Sequence, residues 1–255
     1  MLRPDRPLPD NYHARTGHVL PPEKSDVYKQ LISTTQYAEN NEMKINLKKT
    51  KLMIFNNGRT MDFMPDMKLE GNQIEVVEEM RILGLIIRSD MKWSSNTEHI
   101  VTRAFSKLWT LRRLKALGAS QSDLLDIYFK QVRSVLELAV PAWHSGLTVC
   151  ETMDIERVQR AALYIILGSG FTTYGAAMKQ FGMDTLQVRR EILCRKFSFK
   201  ALKNMKHEKW FIPNTKITVT RQEQPRFCPV ISKTKRFEKS PLNYLTSLLN
   251  KYSKK

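Results

Sequence analysis

The amino-acid sequence predicts an α+β chain that is mostly α: a small antiparallel sheet early, then an antiparallel helical bundle. Three observations predict it. In the first hundred positions apolar residues come in short runs bounded by turn formers, as strands do. From Ser95 onward they recur every three or four residues over long stretches, as on one face of a helix. The change falls within Met80–His99, MRILGLIIRSDMKWSSNTEH, where Ile82, Leu83, Leu85, Ile86 and Ile87 form a compact run that reads as a buried strand. Gly84 inside it predicts a bulge or a close approach of another backbone. Ser89-Asp90 marks a turn, Trp93 is a large anchor, and Ser95-Asn-Thr-Glu98 has the spacing of a capping box that opens a helix.

Taken in order, residues 1–24 hold five prolines and no periodicity, and predict a disordered leader or a foreign exon joined upstream of the domain. A helix follows over 25–40, capped at Ser25-Asp26, with Val27, Leu31, Thr34, Thr35 and Ala38 on one face and Tyr28 and Ile32 beside it. Asn46 and Thr50 suit a turn held by side-chain-to-backbone bonds, and Leu52–Phe55 is a strand candidate. Residues 67–77 read as a hairpin turning at Gly71-Asn72. The small antiparallel sheet is expected over 52–87, within a region spanning 25–95.

The bundle is expected over 96–204. Its first helix buries Ile100, Ala104, Phe105, Leu108, Leu111, Leu114 and Leu117 and stops at Gly118. The second opens at Ser120–Asp123, buries Leu124, Tyr128, Val132, Val135 and Ala139, and closes at Pro141. The third buries Ile155, Val158, Ala162, Ile165 and Ile166 and stops at Gly168. A fourth starts at Asp184–Gln187 and runs to about Asn204, with Leu186, Leu193, Phe197 and Ala201 inward. Short loops between such helices mean antiparallel neighbours. A parallel sheet or strands through 120–140 would remove the reading of this segment as a helical bundle. Residues 205–255 read as a basic extension containing Lys233, Lys235, Arg236 and Lys239.

Charge is unevenly placed. The chain carries 42 Lys and Arg against 25 Asp and Glu, a net +17. Residues 1–100 hold 14 of each sign and cancel; residues 185–255 hold 18 basic and 4 acidic. Such asymmetry points to a polyanionic partner, most simply nucleic acid, against the alternative of a solvated basic surface. The amino terminus has no apolar signal region and no 18-residue apolar run occurs, so no membrane is implied. Cys150, Cys194 and Cys228 show no pairing rhythm, which suggests a reducing, intracellular setting, nucleus or cytoplasm.

Several motifs resemble one family, the reverse transcriptases of non-LTR (LINE-like) retrotransposons. Leu83-Gly84, Asp90-Met-Lys-Trp93 and His99-Ile100 match its link from palm strands to thumb. Asn41, Met43, Ile45, Asn46, Lys49, Thr50 and Lys51 are similar to palm motif D, with Tyr37 where the family has Trp. Arg133-Ser-Val-Leu-Glu137, Ala139-Val-Pro-Ala-Trp143 and Glu156-Arg-Val-Gln-Arg-Ala161 resemble its thumb signatures, and the resemblance covers residues 25–200. It implies a palm remnant, a thumb gripping RNA or DNA, duplex or hybrid, without sequence preference, and a basic carboxy-terminal region. The expected phosphate contacts are Lys49, Lys51, Arg103, Lys107, Arg112, Arg113, Lys115, Arg189, Arg190, Arg195, Lys196 and Lys200.

Catalysis is not expected. Two-metal phosphoryl transfer needs clustered carboxylates, and the sequence has no DD, DE, ED or DxD; adjacent Glu78-Glu79 would project to opposite faces of a strand. The five histidines have no metal-ligand spacing, so no metal or cofactor is predicted. The family's catalytic segment would fall where the proline-rich leader stands, which makes the chain a fragment without polymerase activity. A second hypothesis is a helical protein-interaction module, binding a partner or itself through an apolar surface that would face the palm. A third is a retrotransposon relic without a role. Residues 90–125 also resemble an amino-terminal segment of the alkylation-repair AlkB homologue 8 family of tRNA methyltransferase–dioxygenases, but the HxD iron motif and Gly-rich cofactor loop are missing.

Overall fold

The computed structural model describes residues 26–55, 67–214, 226–228, 232 and 234–252. The expected leader lies outside them. The chain is α+β and mostly helical, with a few short strands, and forms two compact units, Met1–Met80 and Arg81–Lys255.

In the first unit, helix α1 runs Asp26–Asn40. Ala38 is buried, and Tyr28 and Leu31 pack against a small cluster of Met67, Leu69 and Ile74. Val27, expected inside, is exposed because the cluster lies on the Tyr28–Leu31 side. The expected Asn46 turn is present. Asn46 Oδ1 accepts from the Lys49 N–H at 3.2 Å, and the Thr50 hydroxyl donates to the Asn46 carbonyl at 3.0 Å. The strand expected over Leu52–Phe55 shrinks to β1, Lys51–Leu52.

Strands β2 (Lys68–Leu69) and β3 (Asn72–Gln73) form an antiparallel hairpin. Its turn is Glu70-Gly71, with φ of 50° and 76°, one residue earlier than expected. Two positive φ values in succession are what a two-residue hairpin turn requires. Strand β4 (Glu75–Val76) pairs in parallel with β1, Lys51 opposite Glu75. Strands β5 (Glu79–Ile82) and β6 (Leu85–Arg88) make a third pair, and β5 spans the division between the units. The single antiparallel sheet expected over 52–87 is therefore corrected to three separate two-stranded pairs, one of them parallel. The strands are two to four residues long, at or below the short end of the usual range. Among the described residues no sheet has more than two strands.

The Met80–Ile87 run is likewise a hairpin rather than one buried strand. Leu83-Gly84 is its turn, with φ of 49° and 90°. Leu83 is 94% exposed, and of the apolar run only Leu85 is buried. What approaches Gly84 is a side chain: a Cβ there would lie 3.1 Å from Leu138 Cδ2.

The second unit is helical. Helix α2 spans Ser94–Ala116 and buries Ile100, Ala104, Leu108 and Leu111. The Ser95–Glu98 capping box does not form; the helix starts at Ser94 with Trp93 at the cap position, and Ser95 Oγ instead accepts from Arg88 Nη1 at 3.3 Å. Gly118, with φ of 86°, follows its end as expected, but Leu117 is 80% exposed. Helix α3 (Gln121–Ile127) is capped by Ser120, whose hydroxyl accepts from the Asp123 N–H at 3.2 Å.

Helix α3 continues into a π-helical stretch, Tyr128–Arg133, and a short α4, Ser134–Leu136. No strand occurs through 120–140. Bonding from i to i+5 widens the turn, so every fourth residue points inward. Leu124, Tyr128, Val132, Leu136 and Val140 are buried, in place of the expected Val135 and Ala139. Ala139 takes a left-handed φ of 48°, and Pro141 sits in the first turn of α5 (Val140–Trp143), opening a helix rather than closing one.

Helix α6, Val149–Leu167, opens with a full capping box between Thr148 and Glu151 and ends at Gly168. Helix α7, Tyr174–Gln180, follows. Helix α8, Leu186–Leu202, is capped by Thr185 and buries Leu186, Arg190, Cys194, Ser198 and Ala201. Leu193 and Phe197, expected inward, are only partly buried. Helices α9 (Lys235–Glu238) and α10 (Pro241–Tyr252) complete the unit. Leu245, Leu248 and Leu249 of α10, with Phe211 and Phe227, enter the same core as α2 and α6. Helix α10, within the segment expected as an extension, is packed on α8. Among the described residues no single helix is long and apolar enough to cross a membrane.

Candidate nucleic-acid interface

Helix α2 carries five basic residues, Arg103, Lys107, Arg112, Arg113 and Lys115, and one carboxylate, Glu98. Its apolar positions turn toward α6 and the π-helical stretch. The helical period then places Thr102, Ser106, Trp109 and Arg113 on the opposite side, where all four are exposed. Arg103 and Arg112 are also exposed, and Lys107 is half-buried. Among the described residues, none of Arg103, Lys107, Arg112 and Arg113 makes an ion pair, whereas Lys130, Arg133, Arg157, Arg189 and Lys251 of the same unit do. The Arg113 guanidinium lies over the Trp109 ring, 5.7 Å from its centroid. Trp109 itself is 63% exposed. Sequence reasoning passed over it; the available signal was its spacing of four from Arg113, opposite Leu108 and Leu111.

The remaining candidates divide by engagement. Lys115 donates to the carbonyls of Ile165 and, at 3.3 Å, Ile166, where its charge complements the carboxy-terminal end of α6. Arg189 is held by Glu137, which also takes Arg133 Nε at 3.3 Å. Arg195 stacks on Tyr252 at 4.7 Å, while Lys196 and Lys200 are exposed. Arg190 is a correction: it is 1% exposed, inside the core, and out of reach of a phosphate. Its Nε donates to His144 Nδ1 at 3.3 Å, and its two terminal nitrogens have no acceptor among the described residues. In the first unit Lys51 pairs with Glu75, and Lys49 is exposed.

Burial, then the charge of Arg190, pushes the His144 imidazole down to about 4, so it is neutral and its Nδ1 is free to accept. Burial pushes the Cys194 thiol up to about 12, which leaves it inert. For Asp90, partial burial acts upward, but hydrogen bonds from Arg88 and the Lys92 N–H and the charges of both outweigh it, and the carboxyl sits below its usual value. Glu156 accepts the Leu186 N–H on both oxygens at 3.1 Å and the Tyr174 hydroxyl. Gln159 joins the set by accepting from Tyr128 and donating to Tyr174. These groups tie the start of α8 to α6 and are consumed in doing so.

Among the described residues no three His, Cys, Asp or Glu side chains are placed to hold a metal ion, and Glu78 and Glu79 are both exposed. A cleft of about 1020 Å³ lies between the His144 turn, α8 and α10, lined by Lys235 and Lys239 but also by Glu191 and Glu238. No protein-family model, curated protein or solved structure matches the chain.

Proposed function

We propose that the outer face of α2 binds nucleic acid without sequence preference, in the manner the resemblance to a reverse-transcriptase thumb implies, and that the chain does not polymerise nucleotides. The observation that carries the proposal is that, among the described residues, Arg103, Lys107, Arg112 and Arg113 of one helix make no ion pair, while Lys115, Arg133 and Arg189 of the same unit are engaged. Cations already bonded to carboxylates would have to give those bonds up to meet phosphate; these four do not. Lys196 and Lys200 on α8 are secondary contacts.

Purified protein should bind RNA or DNA with affinity that falls steeply with salt, because each phosphate neutralised releases condensed counterions. Replacing Arg103, Lys107 and Arg112 together with Gln should flatten the log–log slope by about two to three. Affinity independent of salt would favour the protein-interaction module instead. Bound template–primer should not be extended with Mg²⁺ or Mn²⁺ and nucleotides. Extension above background that is lost in the Glu78→Gln/Glu79→Gln variant would overturn the non-catalytic half of the proposal.

A further inference from the structure

Trp109 is the centre of the exposed stripe of α2, with Ser106 one turn before it and Arg113 one turn after. Nearly two-thirds of a large aromatic surface faces solvent at 63% exposure, in the middle of a helix whose other apolar residues go inward. The neighbouring Ser106 is small, and its hydroxyl donates back to the Arg103 carbonyl at 2.8 Å, so it neither covers the ring nor competes for a ligand. The Arg113 guanidinium lies over the indole at 5.7 Å. That placement draws a planar cation against the ring while its outward N–H groups stay available to a phosphate oxygen.

We infer that Trp109 and Arg113 form a stacking platform for an unpaired base, so that the partner of this face is single-stranded nucleic acid or a single-stranded segment beside a duplex. The inference rests on the α2 reading above and specifies its substrate. An aromatic face gains from a base only when the base's own face is accessible. In a duplex both faces of each interior base are covered by neighbours, and a tryptophan on the backbone finds only sugar and phosphate. The surrounding Arg103, Arg112 and Arg113 suit a polyanion, and the lone carboxylate of the helix, Glu98, sits near its start. An apolar protein partner would leave these charges facing its surface without a counter-charge.

The experiment compares a mixed-sequence single-stranded RNA of about twelve nucleotides, a length within single-strand binding-site sizes, with the blunt duplex of the same sequence. Both are titrated into wild-type protein and the Trp109→Ala and Trp109→Phe variants. Trp109 is exposed, so neither variant should disturb the fold, and circular dichroism checks that. Trp109→Ala should weaken single-strand binding about ten- to hundred-fold and change duplex binding less than two-fold. Trp109→Phe should fall between. Wild-type indole fluorescence should quench on the single strand, and the quench should vanish in the variants. If wild type binds both probes with a steep salt slope but Trp109→Ala matches it on each, the stacking inference is overturned and the basic-face proposal stands. If wild type binds neither probe at low salt, both fall. Concentration-dependent self-association that Trp109→Ala abolishes would also overturn the inference, by making the ring a contact between copies.

Discussion

Residues 26–55 and 67–80 of the first unit are organised around three buried side chains, Met67, Leu69 and Ile74. The helical unit that begins at Arg81 has one continuous core, from Leu85 through α2, α6 and α8 to Leu249. Both draw on apolar residues; element length separates them. A two-residue strand brings at most one side chain to each face, whereas α2 brings Ile100, Ala104, Leu108 and Leu111 to the same line. Hydrophobic stabilisation scales with area removed from water, so the second unit holds most of the stability. The functional candidates follow the same division: among the described residues the helical unit displays the unpaired cations of α2, and the first unit holds the exposed candidate Lys49 and the engaged Lys51.

The largest effects should come from the helical core. Leu108→Ala and Leu163→Ala, both at 0% exposure, should each cost about 2–5 kcal/mol and shift the urea midpoint measured by helical circular dichroism. Leu69→Ala should instead accelerate exchange of the Lys68–Gln73 amides and leave protection in α2 and α6 unchanged. An equal loss of global stability from Leu69→Ala would break the comparison.

Acid should act next, through His144 of the second unit. The folded imidazole of His144 is depressed to about 4 from an ordinary 6.5, so protons bind the unfolded chain more readily. The His144 contribution to stability should be full above about pH 6.5, decline as pH falls toward 4, and level off below, with a total loss on the order of 3 kcal/mol. Arg190→Met removes one cause of the depression and should shrink the decline, and His144→Gln should remove it. A pH profile between 6.5 and 4 that neither variant alters would show that His144 does not carry the effect.

The smallest effect should be at the parallel pair. Lys51 and Glu75 meet at the surface, where an ion pair is worth about 0–1 kcal/mol. Lys51→Met should therefore change stability within that range and leave binding of RNA nearly unaltered. A ten-fold loss of RNA affinity would move the interface toward the first unit.

Local sequence chemistry determined several helix ends and one turn: the Ser120 cap, the Gly118 and Gly168 stops, the Asn46 turn, and the Ile100, Ala104, Leu108 and Leu111 line of α2. These depend on hydrogen bonds and periods spanning four or five residues, which a sequence displays directly. Tertiary structure decided the rest. The π-helical stretch rotated burial from Val135 and Ala139 to Leu136 and Val140, because a one-residue insertion in the period is set by what the helix packs against. Positive φ at Leu83-Gly84 made a hairpin of an apolar run that reads as one strand. Helix α8 meets α5, α6 and α10 on several sides, so Arg190 went inside although its neighbours in sequence are basic and surface-like. Which cations remain free for a ligand depends on carboxylates and carbonyls fifty residues away, as with Arg189 and Glu137 or Lys115 and Ile165, and no local pattern encodes that distance.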